Sequence, residues 1–178
     1  MMKQSIILFA LVALALASCK KEDDTVTPST PAALTDPTAV RLDSITVIGF
    51  PEQNGGGSYW DGGNGSNLPD PYVEVYKDNI LLFTSGVVAS ASPTGSHDMS
   101  TPGSGALPIP FGEGSDLLIK LYDNDGDPNT NAPDFIGQFT ITDALGFFYG
   151  GDHAAGFSQL QVTGSNDVTF LLTGTFIY

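Results

Sequence analysis

Leu117-Leu118-Ile119-Lys120-Leu121-Tyr122-Asp123-Asn124-Asp125 is the stretch on which the fold turns. Apolar and polar side chains alternate over much of it, the period of a strand with one buried face, and the strand runs straight into a cluster of acids. Tyr72-Val73-Glu74-Val75-Tyr76 alternates in the same way, as does much of Ala39 to Phe50. Further strands are predicted at Ile80 to Thr84, Leu107 to Phe111, Phe135 to Ile141, Phe157 to Val162 and Val168 to Ile177. The one helical candidate is the short run Asp143 to Phe148, where Asp143 is placed to cap a turn.

Short strands separated by Gly, Pro, Asn and Asp clusters predict an all-β chain, an antiparallel β-sandwich of about eight strands. Asp78-Asn79 has the length and chemistry of a tight hairpin turn, and Gly164-Ser165-Asn166-Asp167 reads as another. Two connections are far longer than a sandwich needs, the Gly-rich loop Gln53 to Pro69 and the Ser, Gly and Pro loop Ala89 to Gly105. Long loops on a rigid sandwich are where binding usually sits.

Outward from the sandwich, the N-terminal residues have a different character. Lys3 precedes an unbroken apolar run from Ile6 to Ala17, too short to span a bilayer and of the layout of a cleavable secretory signal. Leu16-Ala17-Ser18-Cys19 resembles the lipobox of bacterial lipoproteins. That resemblance implies a signal peptide over residues 1–18, cleavage before Cys19, and acyl chains such as palmitate on that cysteine. Cys19 is the only cysteine in the chain, so neither an internal disulfide nor a cysteine zinc cluster nor a catalytic thiol is available elsewhere. Lys20-Lys21-Glu22-Asp23-Asp24 resembles the surface-export signals of Bacteroidetes-type lipoproteins, although two lysines precede the acids. Residues 25–37 are mainly Thr, Pro, Ser, Ala and Asp, the composition of a solvated spacer. The expected organisation is therefore a signal peptide at 1–18, a lipidated cysteine and linker at 19–38, and one domain at 39–178. The expected location is the cell envelope, lipid-anchored in the outer membrane or displayed at the cell surface.

Acids outnumber bases 20 to 6, which argues against nucleic acid as a partner, because phosphate backbones demand clustered Lys and Arg. The folded region supplies only Arg41, Lys77 and Lys120, well separated along the chain.

Acidic residues gather where strands meet loops: Asp61 and Asp70, then Asp123-Asn124-Asp125-Gly126-Asp127, then Asp134. Solvated turn residues are the bland explanation. Alternation within Asp123 to Asp127, with Gly126 permitting a sharp bend, also directs several oxygens to one side of a loop, as hard-cation loops require. Unit charges at 4 Å repel by about 4 kcal/mol at an effective dielectric near 20, and a divalent ion relieves this. Ca2+ suits such a site, since it takes six to eight oxygens in flexible geometry, whereas zinc prefers His or Cys and magnesium a tighter octahedron.

Asp70-Pro71-Tyr72-Val73-Glu74-Val75-Tyr76 resembles the Asp-Pro-Tyr-Val strand start of C2 domains. Leu118-Ile119-Lys120-Leu121-Tyr122-Asp123-Asn124-Asp125, followed by Asp134-Phe135-Ile136-Gly137, resembles their second signature, in the same order. The resemblance covers roughly residues 40–141. It implies a C2-like sandwich whose first and third loops bind calcium, and by position it makes Asp70, Asp123, Asp125 and Asp134 ligands. The remaining first-loop ligand falls on Asn64 by spacing, with Asp61 as the alternative, and Asp127 is an additional candidate in a long third loop. Residues from Asp143 onward carry no C2 signature.

Many C2 domains dock on phospholipid through bound calcium, aided by a lysine-rich strand that is absent here. Tyr59 and Trp60 are candidates for ligand contact with a membrane or sugar, the alternative being that they plug the end of the core. Three function classes follow. The first is a non-enzymatic, calcium-binding module engaging an anionic lipid, glycan or protein. The second is a metal-independent structural or assembly module of the envelope. The third is a hydrolase using Asp152-His153 or paired carboxylates, disfavoured because His97 and His153 are the only histidines and neither lies in a nucleophile motif.

Overall fold

A computed structural model describes residues 35–54, 56–60, 68–125, 133–150 and 156–178. They form one compact unit, Thr35–Tyr178. Ten strands are present among the described residues: β1 (Ala39–Gly49), β2 (Pro71–Lys77), β3 (Ile80–Ser85), β4 (His97–Asp98), β5 (Pro102–Gly105), β6 (Ile109–Gly112), β7 (Leu117–Asp123), β8 (Asp134–Ile141), β9 (Gly156–Thr163) and β10 (Thr169–Ile177). One helix, α1 (Ala144–Tyr149), follows β8.

Every pairing between these strands is antiparallel, in two sheets. The first has the order β4-β1-β10-β9, with β6 pairing the opening half of β1 while β4 pairs its far half. The second has the order β5-β3-β2-β7-β8. The chain is thus an all-β antiparallel sandwich, with ten strands where about eight were expected. The two additional strands, β4 and β5, lie inside the Ser, Gly and Pro loop Ala89 to Gly105.

The alternation read from the sequence becomes the partition between core and solvent. In β7, Leu117, Ile119 and Leu121 are buried and Leu118, Lys120 and Tyr122 half-exposed; in β2, Val73 and Val75 are buried between Tyr72, Glu74 and Tyr76. Inward residues of both sheets, among them Leu42, Ile45, Phe83, Phe111, Phe170 and Leu172, form one apolar core. Burying a side chain of this kind contributes roughly 1.5–3 kcal/mol.

Local chemistry closes the ends. Asp78 and Asn79 both have positive φ, 52° and 65°, as a two-residue hairpin turn of the I′ class requires. Asp143 caps α1, its carboxylate accepting from the Gly146 amide at 3.2 Å, and Ala144, Leu145 and Phe148 turn inward. The turn before β10 is a short 3₁₀ segment, Ser165–Asp167, in which Asn166 and Asp167 have positive φ and Asn166 donates to the Ile136 carbonyl at 2.8 Å. At Gly174 a side chain is forbidden, because a Cβ there would lie 2.4 Å from the Phe157 ring and 2.5 Å from the Arg41 carbonyl.

Thr38 joins its amide to the Ile177 carbonyl at 2.7 Å, so the chain enters the unit beside the end of β10. From there β1 runs its full length, roughly 35 Å for eleven residues, before turning into the loop that leads to Asp70. Asp70, Asp123 and Asp134 and the start of the domain therefore lie at opposite ends of the sandwich.

Candidate functional site

Strand register gathers the acidic residues. Pro71 stands opposite Asp123, and Asp123 stands opposite Asp134, so the start of β2, the end of β7 and the start of β8 lie side by side at one end of the second sheet. Proline is tolerated at the first position of β2 because nothing there demands its missing amide hydrogen. Asp123 takes the next inward position after Leu121 in the β7 alternation, which makes it a carboxylate with 0% exposure. Its Oδ1 accepts a hydrogen bond from the Asp70 amide at 2.7 Å, and the Asn124 amide returns one to the Asp70 carbonyl at 3.1 Å. The first and third loops are latched together by this reciprocal pair.

Asp70 reaches a third segment as well. Its Oδ1 accepts from the Ser90 amide at 2.6 Å, while Val88 and Ala91 bond through their amides to the carbonyls of Pro71 and Pro69 at 2.9 and 2.8 Å. Ser90 has a φ of 52°, which aims its amide at the carboxylate. Sequence reading missed this contribution, since a serine in a Ser, Ala and Pro run carries no pattern to betray it. Ser85 was also missed. It is buried, its hydroxyl accepting from the Val73 amide at 2.9 Å and donating to the Gly86 carbonyl, which fixes the course of the chain just before that loop.

Among the candidate ligands, then, Asp70, Asp123 and Asp134 come from adjoining strand ends, and Asp125, half-buried, follows two residues beyond Asp123. Asp61, Asn64 and Asp127 lie outside the described residues, as do Cys19, Asp152 and His153. Among the described residues no group of three or more His, Cys, Asp or Glu side chains is already arranged around a common point for a metal. The donors are carboxylate oxygens, the chemistry of a hard cation, and completing a coordination shell would fall to the loops on either side of them.

Trp60 is 7% exposed and its indole N–H donates to the Pro51 carbonyl at 2.7 Å. It closes the end of the core beneath the first loop; it is not displayed for contact. Tyr59 is half-buried and forms an isolated bridge with Gln53. Near them a shallow hollow of about 200 Å³ is lined by Pro51, Gln53, Trp60, Phe135, Asn166 and Asp167.

No protein-family model matches the chain, and no curated protein matches it. Solved structures do. One described as a C2 domain shares 14% identity at a TM-score of 0.48, over 79% of this chain and 98% of its own. The calcium-bound pair of C2 domains from extended synaptotagmin 2 shares 18% at 0.48, over 79% of this chain and 46% of its own. Human GIVD cytosolic phospholipase A2, in complex with an inhibitor and terbium chloride, shares 10% at 0.46, over 78% of this chain and 17% of its own. The chain spans less than half the length of the second and less than a fifth of the third.

Proposed function

We propose that this chain is a lipid-anchored protein of the bacterial envelope whose sandwich is a C2-like, calcium-binding module without catalytic function. The observation that carries the reading is the latch at the end of the second sheet. Three neighbouring strand ends bring Asp70, Asp123 and Asp134 together, with the Asp70 amide on Asp123 Oδ1 at 2.7 Å. Concentrating carboxylates this way costs free energy unless a cation offsets it. Asp70, Asp123, Asp125 and Asp134 would hold the ion, joined by Asp127 and by Asp61 or Asn64. A bound calcium would supply the positive charge through which an anionic lipid, glycan or protein is engaged. The anchor on Cys19 places the module in the outer membrane, and the domain begins at the end away from these loops, which suits a ligand approaching from beyond the tether.

A metal-independent structural or assembly module is the second reading. Asp70 and Asp123 each give an oxygen to a backbone amide, and that favours carboxylates acting as loop clamps. Calorimetric titration of calcium and magnesium onto residues 19–178, carrying Cys19→Ser, separates the two. Calcium is expected to bind with a dissociation constant of about 10⁻⁴–10⁻³ M, magnesium far more weakly, and Asp125→Asn to abolish the calcium heat. No calcium heat from the unsubstituted loops would leave the clamp as their role.

A further inference from the structure

The outer face of the second sheet carries two rows of side chains that the calcium reading does not use. Register places Tyr72 of β2, Tyr122 of β7 and Phe135 of β8 side by side on adjacent strands. The two tyrosine rings are offset-stacked, 5.5 Å apart and within 21° of parallel, and the Phe135 ring stands 5.7 Å from Tyr122 at 68°, edge against face. Phe135 is 43% exposed and both tyrosines are half-exposed, so the row is open to solvent.

The next row toward the hairpin turn is polar from end to end. Ser104 pairs with Thr84, Thr84 with Glu74, Glu74 with Lys120, and Lys120 with Gln138. Neighbours hold its charged members in place. The Tyr76 hydroxyl donates to Glu74 Oε2 at 2.6 Å, and the Lys120 ammonium sits 4.9 Å from the centre of the Tyr76 ring. Lys120 and Glu74 are both part-exposed on this face, and Lys120 is in no ion pair with a described residue.

Sugars have two kinds of surface, and these rows match both. The C–H faces of a pyranose pack on aromatic rings, and its hydroxyls need donors and acceptors set beside those rings. The aromatic row crosses three neighbouring strands, about 10 Å, the length of about two sugar rings in an extended glycan. Charge decides between ligands. Within the polar row one cation faces one anion, exposed Asp134 stands just beyond Phe135, and the chain as a whole carries a formal charge of -14, so a phosphate or sulfate would meet net repulsion. An aliphatic peptide would have to cross the polar row without compensating its groups.

We propose that this face binds an uncharged oligosaccharide, two to three sugar rings long, stacked on Tyr72, Tyr122 and Phe135 with hydroxyls bonded to Glu74, Lys120 and Gln138. The site is on the sheet and does not require the ion, so it goes beyond the calcium reading and stands or falls apart from it.

The test titrates cellohexaose, laminarihexaose, mannohexaose and xylohexaose onto residues 19–178 with Cys19→Ser, in calcium and in chelator, following backbone amides by NMR. At least one is expected to shift the amides of β2, β7 and β8 around the aromatic row, equally in both conditions. Tyr122→Ala is expected to weaken binding about tenfold or more, and Lys120→Met or Gln138→Ala, which leave the aromatic packing intact, severalfold. Gln161→Ala, exposed on β9 of the first sheet, is expected to change nothing. The proposal is overturned if none of the four sugars shifts these amides, if binding survives all three substitutions, or if inositol hexakisphosphate binds the face more tightly than any of them. Failure of the calcium calorimetry with sugar binding intact would overturn the ion site alone.

Discussion

Asp123→Asn changes one oxygen to nitrogen at the centre of the latch and separates its structural and ionic roles. The substituted side chain keeps an Oδ1 that can accept from the Asp70 amide at 2.7 Å, but the bond is no longer charge-assisted, a loss of about 1 kcal/mol. Against that, removing a charge directly opposite Asp134 relieves a cross-strand repulsion of roughly 0.2–1 kcal/mol. These offset to within about 1 kcal/mol, so without calcium the melting temperature should move by no more than about 4 °C for a unit of this length. Calcium should separate the two proteins. At about a hundredfold excess over a dissociation constant near 10⁻⁴ M, an ion that binds only the folded chain adds about 2.7 kcal/mol. The unsubstituted protein should therefore melt about 8 °C higher in calcium, and the variant within about 2 °C of its calcium-free value. Differential scanning calorimetry in calcium, magnesium and chelator measures all of this. An equal calcium response in both proteins, or none in either, refutes the assignment of Asp123 as a ligand; a calcium-free loss far beyond 1 kcal/mol shows that the latch is chiefly a fold clamp.

Three further outcomes are expected. Gly174→Ala must displace the Phe157 ring or the Arg41 carbonyl, and should lower the unfolding free energy by about 2 kcal/mol or more in urea; a loss under about 0.5 kcal/mol would show that the first sheet yields easily there. Partial burial, then the charge of Glu74 and Tyr122 beside it, pushes the Tyr72 phenol up to about 12, and burial with the hydrogen bond to Glu74 pushes Tyr76 further the same way. Because the folded chain favours the neutral phenols, their contribution is complete below the ordinary value of about 10 and falls as pH rises from there through 12; urea midpoints should drop over that window, less steeply for Glu74→Gln, and a flat profile would contradict it. Expressed in a bacterium with an outer membrane, the full chain should partition into detergent and Cys19→Ser into the aqueous phase, whereas aqueous partition of both would remove the lipid anchor.

Eight strands were legible because apolar side chains recur at alternate positions over much of their length, strictly in β7 and most of β10 and with breaks in β1 and β9, and burial enforces that pattern. The hairpin at Asp78-Asn79 and the cap at Asp143 were legible for a different reason, since few residues tolerate positive φ or supply a capping carboxylate. Strands β4 and β5 were not. Pro102-Gly103-Ser104-Gly105 has no strand propensity, and its pairing is imposed by β3, against which Gly105 at φ 70° packs with no room for a Cβ beside the Leu82 carbonyl. Tertiary contact wrote that strand, and nothing local announced it. The site divides the same way. Asp70, Asp123 and Asp134 were named from the resemblance of two motifs, and register sets their strand ends side by side, while the Ser90 amide that holds Asp70 depends on a backbone conformation that a serine does not advertise.

A strand that alternates strictly, as β7 does, assigns its last inward position to whatever residue stands there, and here it is an aspartate. Were solubility the only demand on the acids of this chain, a carboxylate would be better placed one residue earlier or later, facing water, because removing it from solvent costs free energy that an exposed acid never incurs. The register instead holds it inward, commits one oxygen to the Asp70 amide, and seats exposed Asp134 directly across from it. Such an arrangement is intelligible as a loop clamp, as one wall of a cation site, or as both in turn, the clamp setting the loop course that the ion then completes. In the last case the calcium-free protein is already folded at this end, and calcium should order the neighbouring loops without reorganising the sheet. Amide protection of β2 and β7 would then be the same with and without the ion, while that of the flanking loops rises with it.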